Sequence, residues 1–210
     1  MVGAAPPCQP YLMLPARSSA KVERSLAEAL AVAEIACVLR CGDGAETDPA
    51  WDLHLRELTL RHDVAFIIEG DVERAESVGA DGVQIAADVS RYQLARAHLG
   101  QRAIIGIGCG ASRHDAMVLA ELGADYVAFG PALARVERER EERAELIAWW
   151  SEAFEVPCVA LNVETLAEAE RLAALGADFV AMSASIWQEE DAVKLVAELS
   201  AGLRDARTET

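Results

Sequence analysis

Short apolar segments recur along the chain, and a longer amphipathic stretch separates each from the next. The segments are four or five residues long, which is typical of parallel strands buried on both faces. The regular alternation indicates a repeating strand–helix arrangement. We predict eight strands, at Tyr11–Leu14, Ile35–Leu39, Val64–Ile68, Gly82–Ile85, Ala103–Ile107, Tyr126–Phe129, Cys158–Leu161 and Phe179–Met182.

The amphipathic stretches between the strands have the spacing of helices. They cover Ser19–Glu34, Asp48–Arg61, Val72–Val78, Ser90–Leu99, Ser112–Leu122, Glu141–Phe154, Thr165–Leu175 and Glu189–Leu203. Asp48 is a favourable N-cap with Pro49 at the first helical position, and Ser90 and Ser112 are the expected N-caps of two later helices. Eight strands alternating with eight helices predict the α/β class and a single-domain (β/α)8 TIM barrel over residues 11–203. We expect a flexible lead-in at residues 1–10 and a polar tail at 204–210.

The pattern Gly-Ala-Asp-x-Val occurs three times, at Gly79–Val83, Gly123–Val127 and Gly176–Val180. Each copy follows a predicted helix and precedes a predicted strand. The glycine can end the helix in a left-handed conformation, and the aspartate can make the turn into the strand. These turns lie at the end of the barrel opposite the usual active site, so we expect their aspartates to be structural.

Charge and composition argue against a nucleic-acid-binding, membrane-bound or secreted protein. The formal net charge of the 210-residue chain is −16, which repels nucleic acid and anionic membranes as partners. No apolar run reaches the roughly 18 residues of a membrane helix, and the N-terminus lacks the pattern of a signal peptide, so we expect a cytoplasmic protein. The five cysteines are expected to be free thiols. Trp149 and Trp150 lie on a charged helix; core packing is the favoured fate of at least one, and an exposed one would suit a homodimer contact.

In such a barrel the loops that follow the strands form the active site. No histidine or lysine lies at these positions, which leaves no obvious imidazole base or Schiff-base lysine. Glycines there would let backbone N–H groups approach a phosphate, and Ser183 opens the last turn, the usual phosphate site. Glu69, Asp71 and Asp88 could share a cation, although loop carboxylates are commonly just solvated. The candidate residues are Arg40, Cys41, Glu69, Asp71, Asp88, Gly108, Gly130, Pro131, Arg135, Asn162, Ser183 and Ala184.

Several segments together resemble one known family. The segments are Val38–Arg40, Gly79–Ile85, Ile104–Gly108, Gly123–Pro131 and Val180–Ile186. In order and spacing they resemble the thiamine phosphate synthase and TenI family from about residue 11 to residue 203. The resemblance implies the barrel fold and a reaction that joins a pyrimidine pyrophosphate to a thiazole phosphate. In that reaction pyrophosphate leaves before the thiazole nitrogen attacks, and Mg²⁺ and positive charge stabilise the leaving group.

The chain departs from the family's pattern where pyrophosphate and metal would bind. The family's Gln-x-Arg-x-Lys is Val38–Gly42 here, which keeps only Arg40. Its Asn-Asp is Glu69-Gly70, which removes a metal ligand. Its His-x-Gly-Gln-x-Asp is Gln84–Val89, where Asp88 could replace the lost aspartate after a one-residue shift. Mg²⁺ is therefore implied by the resemblance but is not supported by an intact set of ligands.

Later motifs are changed less uniformly. The serine after the fifth strand is Gly108, and the Thr-x-Thr-Lys loop is Arg135–Arg138, where Arg138 could stand in for the lysine. The Gly-Gly after the seventh strand is Asn162-Val163. The thiazole-phosphate end is retained as Gly130-Pro131 and Ser183-Ala184. The resemblance thus favours a phosphorylated small molecule as ligand, with Gly108 and Asn162 also near it.

Three functions are open at this point. The first is thiamine phosphate synthesis at a divergent site, with Arg40 and Glu69 as catalytic candidates, Arg135 or Arg138 on the diphosphate and Asp88 or Glu69 on Mg²⁺. The second is non-catalytic binding of a phosphate-bearing molecule. The loss of the family's lysine and metal ligand favours this function, since each preorganised group can stabilise a transition state by roughly 3–4 kcal/mol. The third is a TenI-like thiazole isomerase, in which Glu69 or Cys109 would replace the family's acid–base histidine.

Overall fold

The structure, a computed structural model, describes residues 7–17, 19–42, 48–130 and 137–206. In these residues eight parallel strands close into a barrel in chain order, each hydrogen-bonded to the next and β8 to β1. The predicted single-domain (β/α)8 barrel is confirmed. The elements are β1 (Gln9–Leu14), α1 (Ala20–Val32), β2 (Cys37–Arg40), α2 (Pro49–Arg61), β3 (Ala65–Glu69), α3 (Val72–Val78), β4 (Gly82–Ala86), α4 (Val89–Leu99), β5 (Ile104–Gly110), α5 (Arg113–Glu121), β6 (Tyr126–Phe129), α6 (Glu137–Ala153), β7 (Cys158–Val163), α7 (Leu166–Ala174), β8 (Phe179–Met182) and α8 (Ala192–Ala206).

The ends of some elements differ from the sequence prediction. Strand β1 begins at Gln9, because the residues before Tyr11 already pair with β8. A short 3₁₀ helix, Ala184–Gln188, precedes α8, which continues to Ala206. The predicted Ser90 cap of α4 is wrong: Asp88 is the N-cap, and its side chain accepts the N–H of Arg91. A carboxylate two residues earlier therefore starts the helix sooner.

The three repeated turns tie neighbouring strands together at the amino end of the barrel. Their glycines have φ of 66°, 99° and 103°, as expected of left-handed helix ends. The carboxylates of Asp81, Asp125 and Asp178 each accept a backbone N–H at the start of the preceding strand, from Phe66, Ile105 and Cys158 respectively, at 2.8 Å. Their backbone N–H groups donate back to the same residues. The structural role expected for these aspartates is confirmed.

The core has two layers. The larger lies between the strands and the surrounding helices, and the smaller fills the barrel interior. In the interior the ring of Tyr126 lies over Gly106, where an added Cβ would be only 1.9 Å from the ring. Gly106 is therefore required by packing rather than by a turn. The interior residues are Tyr11, Met13, Cys37, Leu39, Ile67, Tyr126, Ala128, Val159, Leu161 and Ala181.

Three further expectations concern the cysteines, the packing of the two adjacent tryptophans and the absence of a membrane-spanning helix. All five cysteines lie in the described residues, and none of them forms a disulfide. Trp150 is buried, and its indole N–H donates to the carbonyl of Val156, which confirms core packing for one of the pair. Trp149 is half-buried beside Phe154, and the homodimer stays a prediction. Within the described ranges, none of the helices has the length and apolar character needed to cross a bilayer.

Candidate functional site

A cavity of about 740 Å³ opens at the carboxyl end of the barrel, where the loops after the strands converge. Its wall contains residues from all eight strand ends or the loops after them, which matches the usual location of a barrel active site. The structure brings together seven of the residues predicted from the sequence: Cys41, Glu69, Gly108, Gly130, Asn162, Ser183 and Ala184. Arg40, Asp88 and Arg138 do not line this cavity, and Pro131 and Arg135 lie outside the described residues.

The turn after β8, where the sequence predicts phosphate binding, forms one side of the cavity. The Ser183 N–H donates to the carbonyl of Val163, which fixes the turn to β7. The Ser183 hydroxyl oxygen accepts the backbone N–H of Ser185 at 3.4 Å and lies 3.2 Å from the Ser185 hydroxyl. Ala184 is half-buried and begins the 3₁₀ helix. The result is a compact turn of small residues whose backbone is open to the cavity.

Asn162 lies beside this turn in a conformation that is rare for a residue with a side chain. Its φ is 55°, in the left-handed region, where asparagine is one of the few tolerated residues. The pairing of β7 with β8 shifts register between Ala160 and Val163, so the chain bulges at this point. Since glycine would be the ordinary choice for this backbone, Asn162 keeps the backbone shape and adds an amide to the cavity wall.

The bulge is held from behind by a buried arginine. The guanidinium of Arg143, on α6, donates to the carbonyls of Leu161 and Asn162 and pairs with the Glu168 carboxylate on α7. Burial lowers the pKa of Arg143, and the Glu168 charge opposes this. A buried cation that binds two carbonyls of one bulge fixes the local backbone. Arg143 was missed in the sequence because it lies in a charged run typical of a solvated helix face.

Glu69 is the acidic residue of the cavity wall. Its carboxylate accepts the backbone N–H of Gly42 at 2.8 Å, which links the end of β3 to the loop after β2. Cys41 lies next to it, and burial, with a contribution from the Glu69 charge, raises the pKa of the Cys41 thiol to about 12. Cys41 is therefore a neutral thiol near pH 7, and Glu69 is the one carboxylate among the described wall residues.

Arg40 lies beneath the cavity in a fully buried ion cluster. Its Nε is 3.1 Å from the Asp52 carboxylate, and both side chains are 0% exposed. The other Asp52 oxygen binds the guanidinium of Arg74. Arg40 also donates to the carbonyls of Cys41 and Ala16, at 3.0 and 2.6 Å. The structure thus places Arg40 where it holds the loops after β1 and β2, and it keeps the N–H partner of Glu69 in position.

The carboxylates that could have formed a cation site are engaged in holding the backbone. Asp71 accepts the N–H of Arg74 at the start of α3, and Asp88 accepts that of Arg91 at the start of α4. Glu69 binds Gly42. In the part of the chain that the structure describes, no three acidic, histidine or cysteine side chains form a metal-binding group. These residues do not fit the Mg²⁺ that the resemblance implies.

The remaining predicted residues lie away from the cavity. Arg138 is exposed on the first turn of α6. All four histidines are exposed on helices or helix ends, as expected. Cys109 is buried within β5, and burial raises the pKa of its thiol to about 12, so it supplies no thiolate at neutral pH.

One wall residue was missed in the sequence, and a second was given no role there. Arg91 lies in the first turn of α4 and reaches the cavity, although its position in the sequence is that of an ordinary helix start. Gln84, on β4, is 4% exposed and also lines the cavity. The sequence places it at the end of the fourth strand, where it departs from the family's histidine, and predicts no role for it. The position of Arg91 depends on the earlier start of α4 at Asp88, which the sequence prediction placed at Ser90.

Comparison with known proteins agrees with this geometry. A curated thiamine-phosphate synthase from Rhodospirillum centenum is 39% identical over 185 residues, covering 86% of this chain and 89% of the relative. One from Erythrobacter litoralis is 40% identical over 150 residues, covering 69% and 70%. A solved thiamine phosphate pyrophosphorylase from Pyrococcus furiosus has the same fold, with a TM-score of 0.75, 23% identity and coverage of 94% and 96%. The family model described as thiamine monophosphate synthase matches residues 11–186, and the chain therefore belongs to that family.

Proposed function

We propose that this protein is a divergent thiamine phosphate synthase that joins a thiazole phosphate to a pyrimidine pyrophosphate. The turn at Ser183 and Ala184 would bind the phosphate of the thiazole. The observation that carries the proposal is the left-handed backbone of Asn162 beside that turn. It keeps the shape that the family obtains with glycine, although the residue has changed. The names of the relatives, which cover up to 88% of the chain, support the same reaction.

In this proposal each wall residue has a limited task. Backbone N–H groups of the β8 turn orient the thiazole phosphate, so that the thiazole nitrogen faces the pyrimidine. Glu69, held by Gly42, accepts a hydrogen bond or a proton from the aminopyrimidine. Arg40 acts as a positioning residue, because it fixes the loop that holds Glu69. The small residues Gly108 and Gly130 leave room for the two rings. No step is routed through a metal ion.

A second candidate function is non-catalytic binding of the same class of phosphorylated ligand. The observation that favours it is the burial of Arg40 with Asp52, which removes from the cavity one cation that the family motif retains. A TenI-like isomerase is supported less, because Glu69 alone would have to serve as its acid–base group among the described wall residues.

A turnover assay separates these functions. The full chain is incubated with both substrates, with Mg²⁺ or with EDTA, and released pyrophosphate and thiamine phosphate are measured. Turnover would support the synthase. No turnover, together with a melting temperature that rises with thiazole phosphate, would support the non-catalytic binder. Conversion of the thiazole phosphate alone to a tautomer would support the isomerase.

Two variants of Asn162 test the phosphate side directly. Asn162→Gly keeps the left-handed backbone, whereas Asn162→Val disfavours it. We expect Asn162→Gly to bind thiazole phosphate with at most a few-fold loss and Asn162→Val to lose about tenfold or more, since strain of this kind costs roughly 1–3 kcal/mol. Equal binding by the two variants would contradict a phosphate site built on this backbone.

A further inference from the structure

The wall formed by Gln84, Ala86, Gly108 and Arg91, here called the β4 wall, contains hydrogen-bond donors that the proposed synthase function has not used. Arg91 and Glu69 are the two charged residues among the described wall residues of the cavity. They do not pair with each other, and the Arg91 guanidinium forms no ion pair within the described residues. In a chain of net charge −16, a cation without a carboxylate partner at a cavity wall is well placed to bind an anion.

The amide of Gln84 is held in one orientation by a buried chain of hydroxyl groups. The Tyr126 hydroxyl donates to Gln84 Oε1 at 3.1 Å, and the Tyr11 hydroxyl lies 2.8 Å from that of Tyr126. Because the Tyr126 hydroxyl has one hydrogen and gives it to Gln84, Tyr11 must donate to Tyr126. Burial raises the pKa of both tyrosines, so both remain protonated. With its oxygen occupied, Gln84 offers its NH₂ group to the cavity.

The same wall is open, and the acidic residue among the described wall residues, Glu69 on the neighbouring strand β3, already accepts the backbone N–H of Gly42. An added Cβ at Gly108 would meet nothing nearer than the Ile85 carbonyl oxygen at 3.7 Å, so the surface there is not filled. The nearby Asp88 carboxylate accepts the Arg91 backbone N–H at 2.7 Å and is not part of the wall. A phosphate group could therefore approach Arg91 and Gln84 without meeting an acidic side chain from α4.

We propose that the β4 wall is an anion subsite that binds a phosphate or diphosphate group without a metal ion, through the Arg91 guanidinium and the Gln84 amide. The inference rests on the proposed function only for the choice of diphosphate as its ligand. Arg91 would supply the charge and Gln84 a directed N–H donor, so the wall replaces the metal and its carboxylates by direct hydrogen bonds.

Calorimetric titration of the full chain with inorganic pyrophosphate in EDTA tests the subsite. We expect the wild type to bind, Arg91→Gln to bind about tenfold or more weakly, and Arg102→Gln to bind like the wild type. Arg102 is the matched control, because it is also exposed but precedes β5 at the opposite end of the barrel. Binding that requires Mg²⁺, or an Arg91→Gln variant equal to the wild type, would overturn the proposal.

The role of Gln84 is tested by the same titration with two substitutions, so that a folding defect is not mistaken for a loss of pyrophosphate binding. Gln84→Leu removes the donor, and Tyr126→Phe removes only the hydrogen bond that orients it. Melting temperature is measured for both. We expect pyrophosphate affinity to fall in both, with the larger fall in Gln84→Leu. A folded Gln84→Leu variant with unchanged affinity would contradict the role of the amide.

Thiazole phosphate binding, measured in the same variants, separates this inference from the proposed function. Arg91→Gln should leave thiazole phosphate affinity unchanged, since the two subsites are at different walls. Metal-free pyrophosphate binding without turnover would keep the subsite and remove the synthase. Turnover that depends on Mg²⁺ and is unaffected by Arg91→Gln would keep the synthase and remove the subsite.

Discussion

The two ends of the barrel both use carboxylates to hold backbone, but only one end does so in a repeated pattern. At the amino end, Asp81, Asp125 and Asp178 each bind the start of the preceding strand in the same way. At the carboxyl end, Asp71 and Asp88 cap helices while Glu69 binds a loop. The difference teaches that a carboxylate in a loop at the carboxyl end, such as Asp71 or Asp88, can hold backbone just as the aspartates of the repeated turns do. The neighbouring backbone N–H groups decide this role, and the location of the loop does not.

The largest effect is expected from the buried cluster beneath the carboxyl end. Asp52→Asn would leave the guanidinium groups of Arg40 and Arg74 without their shared carboxylate in a buried setting. Removing one partner of such a cluster costs roughly 3–5 kcal/mol. We expect the free energy of unfolding, measured by urea denaturation, to fall by about this amount. A loss below about 1 kcal/mol, the range of exposed ion pairs, would contradict the cluster.

The next effect compares two glycines of β5, one toward each end of the barrel. Gly106→Ala would place a Cβ 1.9 Å from the Tyr126 ring, whereas Gly108→Ala would meet its nearest atom at 3.7 Å. We expect Gly106→Ala to lose about 3 kcal/mol of stability because the interior is overpacked. Gly108→Ala should change stability by less than about 1 kcal/mol. Urea denaturation of both variants measures the difference, and equal losses would contradict the packing of Tyr126 against Gly106.

A pair of aspartates tests the comparison of the two ends directly. Asp178→Ala would leave the N–H of Cys158 without its acceptor and should cost roughly 1–3 kcal/mol. Asp88→Ala would remove a helix N-cap and should cost about 1 kcal/mol. Thermal unfolding with and without Mg²⁺ measures both. If Asp88→Ala abolished a stabilisation by Mg²⁺, Asp88 would be a metal ligand and the comparison would fail.

The smallest effect concerns the thiol at the cavity. Because the pKa of Cys41 is raised to about 12, only about one part in ten thousand is thiolate at pH 8. We expect iodoacetamide to modify Cys41 far more slowly in the folded protein than in urea. The folded state holds the Cys41 proton more tightly than the unfolded state does. The protonated thiol therefore contributes to the free energy of unfolding below pH 9, and this contribution is lost as the pH rises toward 12. Rapid labelling of the folded protein at pH 8, located by mass spectrometry, would sink this expectation.

Local patterns in the sequence were sufficient for the frame of the molecule. Strand burial on both faces, helical spacing and the Gly-Ala-Asp-x-Val turns are properties of residues close together in the chain. They predicted the barrel, the role of the repeated aspartates and the carboxyl-end location of the site. Seven of the predicted site residues do line the cavity, because the loops after parallel strands must meet there.

The chemical character of the site depended on contacts between distant residues. Arg40 reads as a catalytic cation in the sequence, but the fold places Asp52 of α2 against it and buries both. In the sequence Gln84 only replaces the family's histidine. In the fold, Tyr126 of β6 donates a hydrogen bond to its amide, and Tyr11 of β1 contacts Tyr126, so that the amide is oriented. In the sequence Arg91 looks like an ordinary helical residue. In the fold, Asp88 caps α4 by accepting the Arg91 backbone N–H, and Arg91 lines the cavity. The sequence by itself determined the barrel and its repeated turns, since local periodicity encodes them. Only the tertiary structure decided which polar residues are buried, paired or open to a ligand, because burial and pairing are set by partners far away along the chain.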